Sequence, residues 1–291
     1  GQIESLNGRK LHNLGFMGQG MTIAVLDAGF MNVDKIAAFR NLNIKGTHNF
    51  VAGYDNDVYK EMDHGTKTLS TIAMNQPTVF VGTAPKADFW LLRTEDYSTE
   101  SPAEEDFWIA AVEFSDSVGV DIISSSLGYH GFDDISMNYR YSDLNGRTAA
   151  ISQAASRLAS KGMILVNSAG NDGMGTWKKI NVPADAHDIL TVGAVSLDKV
   201  NAPFSSIGPT ADGRIKPDVM AYGCPTNVVS GRGYIIPDNG TSFACPLIAG
   251  MVACLWQACP NKSAKEILDI VRQSGNNCQS PDNIMGYGIP D

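Results

Sequence analysis

The 291-residue sequence predicts an α/β fold: a doubly wound, mostly parallel twisted sheet with helices on both faces. Two observations predict it. Apolar, β-branched runs of strand length alternate with longer stretches of helical period, the pattern of βαβ units and a parallel sheet. No internal repeat or low-complexity tract interrupts that alternation, so residues 1–291 are expected to form one domain around one sheet.

The elements follow in order. The first strand, 22–26, is the run Ile23-Ala24-Val25-Leu26, which stops at the carboxylate of Asp27. A helix over 64–74 opens at His64 and continues in small residues. Strand 87–92 precedes a helix over 103–117, whose first turn carries Glu104, Glu105 and Asp106, acids favoured by the helix dipole. Strand 121–124 runs into Ser125-Ser126-Leu127-Gly128, and 129–146 reads as a long aromatic and acidic surface loop. A helical pattern over 147–161 leads to strand 163–166, which ends in Asn167-Ser168-Ala169-Gly170-Asn171. Strand 190–195 follows. Helices over 242–258 and 262–274 close the chain. In such sheets ligands bind at the carboxyl ends of the strands, so polar residues just after a strand are the first candidates for function.

Composition excludes several classes. With 22 basic and 31 acidic residues the formal charge is −9, which argues against a nucleic-acid surface and weakly favours cationic substrates. No apolar run reaches the roughly 18 residues of a membrane span. The five cysteines, Cys224, Cys245, Cys254, Cys259 and Cys278, are too few for a disulfide scaffold and lack metal spacing. Cys245 and Cys254 fall in an apolar helical pattern and are expected to be buried. Cys259 and Cys278 flank the last helix and could be bridged in an oxidising compartment. No metal site is expected. Asp143, Asn145 and Gly146 resemble a fragment of a calcium loop, but the full spacing of oxygen ligands is missing.

Four segments place reactive side chains where a strand ends or a helix begins. Asp27 ends the first strand. His64 opens a helix, where the dipole disfavours a cation and so favours a neutral base. Ser242 follows Asn239-Gly240-Thr241 at the start of another helix, where negative charge developing on its oxygen is favoured. Asn171 follows the strand at 163–166, and its amide could donate to a tetrahedral oxyanion. His12, His48, His130 and His187 have no such setting. A nucleotide-binding α/β protein would need GxGxxG or GxxxxGK[ST] after a strand, and neither occurs.

The segments VLDAGF, DHGT, SSLG, SAGND and GTSFACP, in that order, resemble the subtilase family of serine peptidases, with an order of Asp, His and Ser that is the family's own. The resemblance covers nearly the whole chain. It implies a subtilisin-like fold and a serine endopeptidase acting through an acyl-enzyme, with Asp27, His64 and Ser242 as its triad. Asn171 becomes the oxyanion donor beside the Ser242 backbone N–H. Ser125, Ser126, Leu127 and Gly128 match the strand that pairs with substrate, and Ser168, Ala169 and Gly170 match the opposite wall of the pocket for the residue before the cut. Small residues there leave room for a large apolar side chain.

The same resemblance implies protein or peptide substrates, no cofactor for the chemistry, a propeptide in the precursor, a monomer, and a secreted or cell-envelope location. The sequence opens on Gly1 rather than Met, as expected of a processed form. Phe243, Cys245 and Leu247 replace the family's usual Met, Ser or Ala, and His. With Tyr129 after Ser-Leu-Gly, these variants resemble Bacteroidetes-type members. They predict altered packing behind the site with activity retained. Glu95, Asp96, Glu100, Glu104, Glu105 and Asp106 lie where the other edge of the groove is expected, predicting a preference for Lys or Arg upstream of the cut.

Overall fold

β1 (Thr22–Asp27) alternates between two cores: Ile23 and Val25 pack on one face of the sheet, Ala24 and Leu26 on the other. All four are essentially inaccessible, which is why the strand reads as an unbroken apolar run. The structure, a computed structural model, describes residues 2–291.

In chain order the elements are α1 (Gly8–Asn13), β1, β2 (Asn43–Asn49), α2 (His64–Ala73), β3 (Asn75–Gln76), β4 (Phe80–Val81) and β5 (Asp88–Arg93). α3 (Ala103–Ser117), β6 (Ile122–Ser125), α4 (Ala150–Ala155), β7 (Ile164–Ser168) and β8 (Leu190–Ser196) follow. The chain ends with β9 (Val219–Cys224), β10 (Thr226–Val229), β11 (Ile235–Asp238), α5 (Thr241–Ala258) and α6 (Ala264–Gln273).

Seven strands form one parallel sheet in the order β2-β5-β1-β6-β7-β8-β9. This is the doubly wound α/β architecture the sequence predicts. From β1 the chain goes to the edge strand β2, returns to place β5 between them, then crosses to β6 on the other side, so the topological switch lies at β1. Asp27 ends β1 at that crevice. α2 and α5 cover one face of the sheet; Trp108 of α3 and Ile151 of α4 pack into the other.

Three expectations need amendment. The pattern at 147–161 holds only a six-residue α-helix, Ala150–Ala155, then turns and a 3-10 turn at Ala159–Lys161. The second is that no segment reaches membrane-spanning length. α5, with 18 residues and a mean hydropathy of 1.4, is long and apolar enough, but 67% of it is buried in the protein, as befits a core helix. Third, all five cysteines are free, with Cys259 and Cys278 unbridged. Cys245 and Cys254 are buried, as expected, and burial pushes both thiols up to about 12.

α5 sits close to the chain beside it. A Cβ on Gly250 would fall 2.0 Å from Thr83 Oγ1 and 3.1 Å from Ala84 N. Helix propensity favours Ala over Gly by about 1 kcal/mol, whereas overpacking costs about 1–3 kcal/mol, so contact should decide the sign. Gly250→Ala in a Ser242→Ala background is therefore expected to lower the melting temperature by about 2–6 °C in thermal denaturation. A rise would mean that α5 is not held against Thr83.

Candidate active site

Asp27 is fully buried, yet its carboxylate has a complete set of partners. Oδ1 accepts from the Ala28 N–H at 2.8 Å and pairs with His64 Nδ1 at 2.7 Å; Oδ2 accepts from Thr68 Oγ1 at 3.0 Å. His64 and Thr68 are four residues apart on α2 and so share a face. The helix start is brought in by two glycines: the Gly65 N–H donates to Gly29 O at 3.0 Å, and a Cβ on Gly65 would stand 2.3 Å from that oxygen.

The His64 side chain keeps 33% of its exposure. Burial pulls its pKa down, but the charge and hydrogen bond of Asp27 outweigh burial and leave it raised above 6.5. Lys67 opposes the rise and Asp238 adds to it. The sequence expectation rested on the helix dipole, which disfavours the cation; the carboxylate beside the ring overrides it.

Ser242 is the second residue of α5, where backbone N–H groups have no partner within the helix. The Phe243 ring lies 5.8 Å from that of His64, which brings α5 and α2 to one mouth. Asn171 reaches the same place from the segment after β7. Its Oδ1 accepts from both the N–H and the hydroxyl of Thr241, at 2.9 and 3.0 Å. With the oxygen engaged twice, the assignment of oxygen and nitrogen in this amide is set.

Of the expected wall residues, Ser126 is bonded to the nucleophile candidate, its Oγ donating to Ser242 O at 2.8 Å. Leu127 is held by Asn167 Nδ2 on its carbonyl at 3.0 Å. Ser125 and Ala169 turn their side chains into the core; the Ser125 hydroxyl accepts from Trp108 Nε1 at 3.0 Å. These two can offer a substrate only backbone. Gly128 and Gly170 are partly exposed, and Ser168 is buried. Thr68 and Thr241 were missed in the sequence. The signals for them were the i, i+4 spacing from His64 and adjacency to Ser242.

A model described as the subtilase family, peptidase S8, matches residues 18–288. The chain belongs to the subtilase family. It is 29% identical to Subtilisin NAT of Bacillus subtilis subsp. natto over 269 residues, 92% of this chain and 63% of that protein. It is 27% identical to a thermostable alkaline protease of Halalkalibacterium halodurans over 292 residues, 99% of this chain and 70% of that one. MycP1 from the ESX-1 type VII secretion system superposes over the whole chain and 83% of its own length, with TM-score 0.77 and 21% identity, a likeness of fold. The chain thus spans under two thirds of the length of Subtilisin NAT and of Subtilisin E.

In this subtilase much of the acidic stretch is turned to protein donors. Glu104 accepts from the N–H groups of Asp96 and Ser101, at 2.8 and 3.1 Å, and Glu105 accepts from Tyr139 Oη at 2.9 Å. Glu95 accepts from Tyr129 Oη at 2.5 Å and from Thr94 Oγ1 at 3.1 Å. Burial pushes Glu104 and Glu105 up to about 7 and Glu95 well above its ordinary range. Asp96 is engaged by Ser98 and Tyr54. Glu95, Asp96, Glu104 and Glu105 thus answer protein donors, while Glu100 and Asp106 stay exposed, so an upstream Lys or Arg preference would rest mainly on those two. The calcium-loop fragment is occupied in the same way: Asn145 Oδ1 accepts from the N–H groups of Arg147 and Thr148, and Asp143 Oδ2 from that of Arg140.

Two pH dependences follow. In a Ser242→Ala background, Asp27→Asn should move the His64 titration, followed by NMR, to lower pH, because burial then acts without its counterweight. An unchanged midpoint would mean that Asp27 is not what holds it up. Glu105, raised from 4.5 to about 7, keeps its proton in the fold where the unfolded chain has lost it. Its contribution to stability is whole below 4.5 and lost as pH rises through about 7. Glu105→Gln should therefore gain about 2–5 °C relative to wild type on going from pH 5 to pH 8. An equal difference at both values would contradict the assignment.

Proposed function

We propose that residues 1–291 form a single catalytic domain of a serine endopeptidase that cleaves proteins or peptides through an acyl-enzyme. The observation that carries this reading is the buried Asp27 bound at 2.7 Å to His64 Nδ1, at the same mouth as Ser242 and an oriented Asn171 amide. Asp27 fixes the His64 tautomer with its proton on Nδ1, leaving Nε2 to accept the proton of Ser242 Oγ. The freed oxygen adds to the scissile carbonyl. Negative charge then collects on the carbonyl oxygen, between the Asn171 NH₂ and the Ser242 N–H at the positive end of α5. His64 returns its proton to the leaving amine, and water resolves the acyl-enzyme by the same steps.

Substrate backbone adds as a strand along Ser125, Ser126, Leu127 and Gly128, with Ser168, Ala169 and Gly170 on the far side. Phe243, Cys245 and Leu247 change the packing behind these groups without replacing a chemical one. The chemistry requires no cofactor. In keeping with its family, the enzyme works as a monomer outside the cytoplasm after loss of a propeptide.

A fluorophosphonate should label wild-type protein at Ser242 and leave Ser242→Ala unlabelled. Ser242→Ala and His64→Ala should each lower kcat by about 10⁶, and Asn171→Ala by about 10²–10³, the losses known for the matching residues of subtilisin. A change in KM alone for Asn171→Ala would remove it from the oxyanion site.

A further inference from the structure

One side chain lies against both expected walls beside Ser242 and would floor any space between them. A Cβ on Gly128 would stand 3.0 Å from Asn181 Cβ, and a Cβ on Gly170 would stand 2.9 Å from Asn181 Nδ2. Asn181 thus bridges the walls. It is 8% exposed, and its N–H donates to Ala169 O at 3.3 Å. Nδ2 donates to Asp172 Oδ2 at 3.0 Å, while the buried Oδ1 has no partner among the described residues. Asp172 immediately follows Asn171 and keeps 30% of its side-chain exposure. His130, from beyond Gly128, stands with Nδ1 4.0 Å from Asp172 Oδ2, its ring stacked on Trp177 at 4.7 Å.

Such a floor is the wrong chemistry for a deep apolar slot. An aromatic ring pushed between the walls would meet the Asn181 amide and strip water from the Asp172 carboxylate, and desolvating polar groups without new partners is unfavourable. A long side chain ending in N–H donors would instead lay its methylenes along the glycine walls and give Asp172 a charge-assisted hydrogen bond. The chain's net charge of −9 also attracts a cation.

We infer that Asn181 and Asp172 set the preference for the residue before the scissile bond, and that they select Lys or Arg over a large apolar side chain. The inference rests on the reading of Ser242 as nucleophile, and it replaces the apolar preference expected from the small residues 168–170.

The test compares four peptides differing only at that residue, Lys, Gln, Leu or Phe, with rates expressed per site labelled by fluorophosphonate. Wild type should cleave the Lys peptide with kcat/KM about tenfold or more above the Phe peptide, a scale typical of one pocket contact. Asp172→Asn keeps an acceptor for Asn181 but removes the charge. It should cut the Lys/Phe ratio about fivefold or more and abolish its decline with added salt. Asn181→Gly, which opens the floor, should raise the Phe rate about tenfold. Labelling stoichiometry separates a misfolded variant from an altered preference. Labelled wild type that favours Phe, with a ratio unmoved in both variants, overturns this inference alone. Protein that fluorophosphonate never labels overturns the nucleophile reading and this inference with it.

Discussion

A carboxylate wholly withdrawn from water is tenable only if its oxygens are matched, and the Asp27 carboxylate constrains everything around it for that reason. β1 cannot supply the partners, because its own backbone is committed to β5 and β6. The Ala28 N–H comes from the turn that follows, but the other two donors, His64 Nδ1 and Thr68 Oγ1, must be carried in by α2. α2 is therefore docked at the carboxyl end of β1 by electrostatic need as well as by the apolar contacts of Leu69 and Ile72. Removing one partner of such a buried group leaves the rest uncompensated, at a typical cost of about 3–5 kcal/mol. The position of His64 is thus a consequence of the fold's own requirement to satisfy Asp27.

Central strands buried on both faces were legible because their sequences have no polar face to hide: β1, β5, β6, β7 and β8 all read as apolar runs. β2 was not legible. It is an edge strand, Asn-Ile-Lys-Gly-Thr-His-Asn, half exposed along most of its length, with too little apolar content to stand out from a loop. β9, at the opposite edge, is an apolar run that went unread between loop segments. The overlong helix at 147–161 shows the reverse error, since its apolar spacing continues through Leu158 although the backbone leaves the α-helix at Ser156.

At the site, residue types were legible and partnerships were not. Asp27, His64 and Ser242 stand at the end of a regular element and Asn171 three residues past one, which a sequence displays. Thr68 and Thr241 act by where their hydroxyls point, which it does not. The acidic stretch was legible only in part for the same reason. Six carboxylates in twelve residues look like a charged rim, yet whether a Glu faces water or its own loop depends on the return of the chain. The residues that meet Glu95 and Glu105, Tyr129 and Tyr139, lie 34 positions away. Burial raises the pKa of both acids, that of Glu105 to about 7, so formal charge overstates the field they project.

The proline inside α5 accounts for how the helix that carries Ser242 is tied to the expected substrate edge. Pro246 lies four residues after Ser242, so the Ser242 carbonyl has no N–H to accept from, and the ring crowds it as well. An orphan carbonyl in a buried helix would cost about 1–3 kcal/mol, and the Ser126 hydroxyl fills the gap at 2.8 Å. That donor belongs to a different element. Were residue 246 to carry an N–H, the Ser242 carbonyl could be answered within the helix and would no longer need Ser126. The thiol of Cys245 adds a second tie, donating to the carbonyls of Val166 and Ser125 at 3.2 and 3.5 Å. Two side-chain donors, one answering a missing backbone donor, therefore hold Ser242 in register with the strand ends, and rigidity at Ser242 comes from an interruption of the helix that carries it.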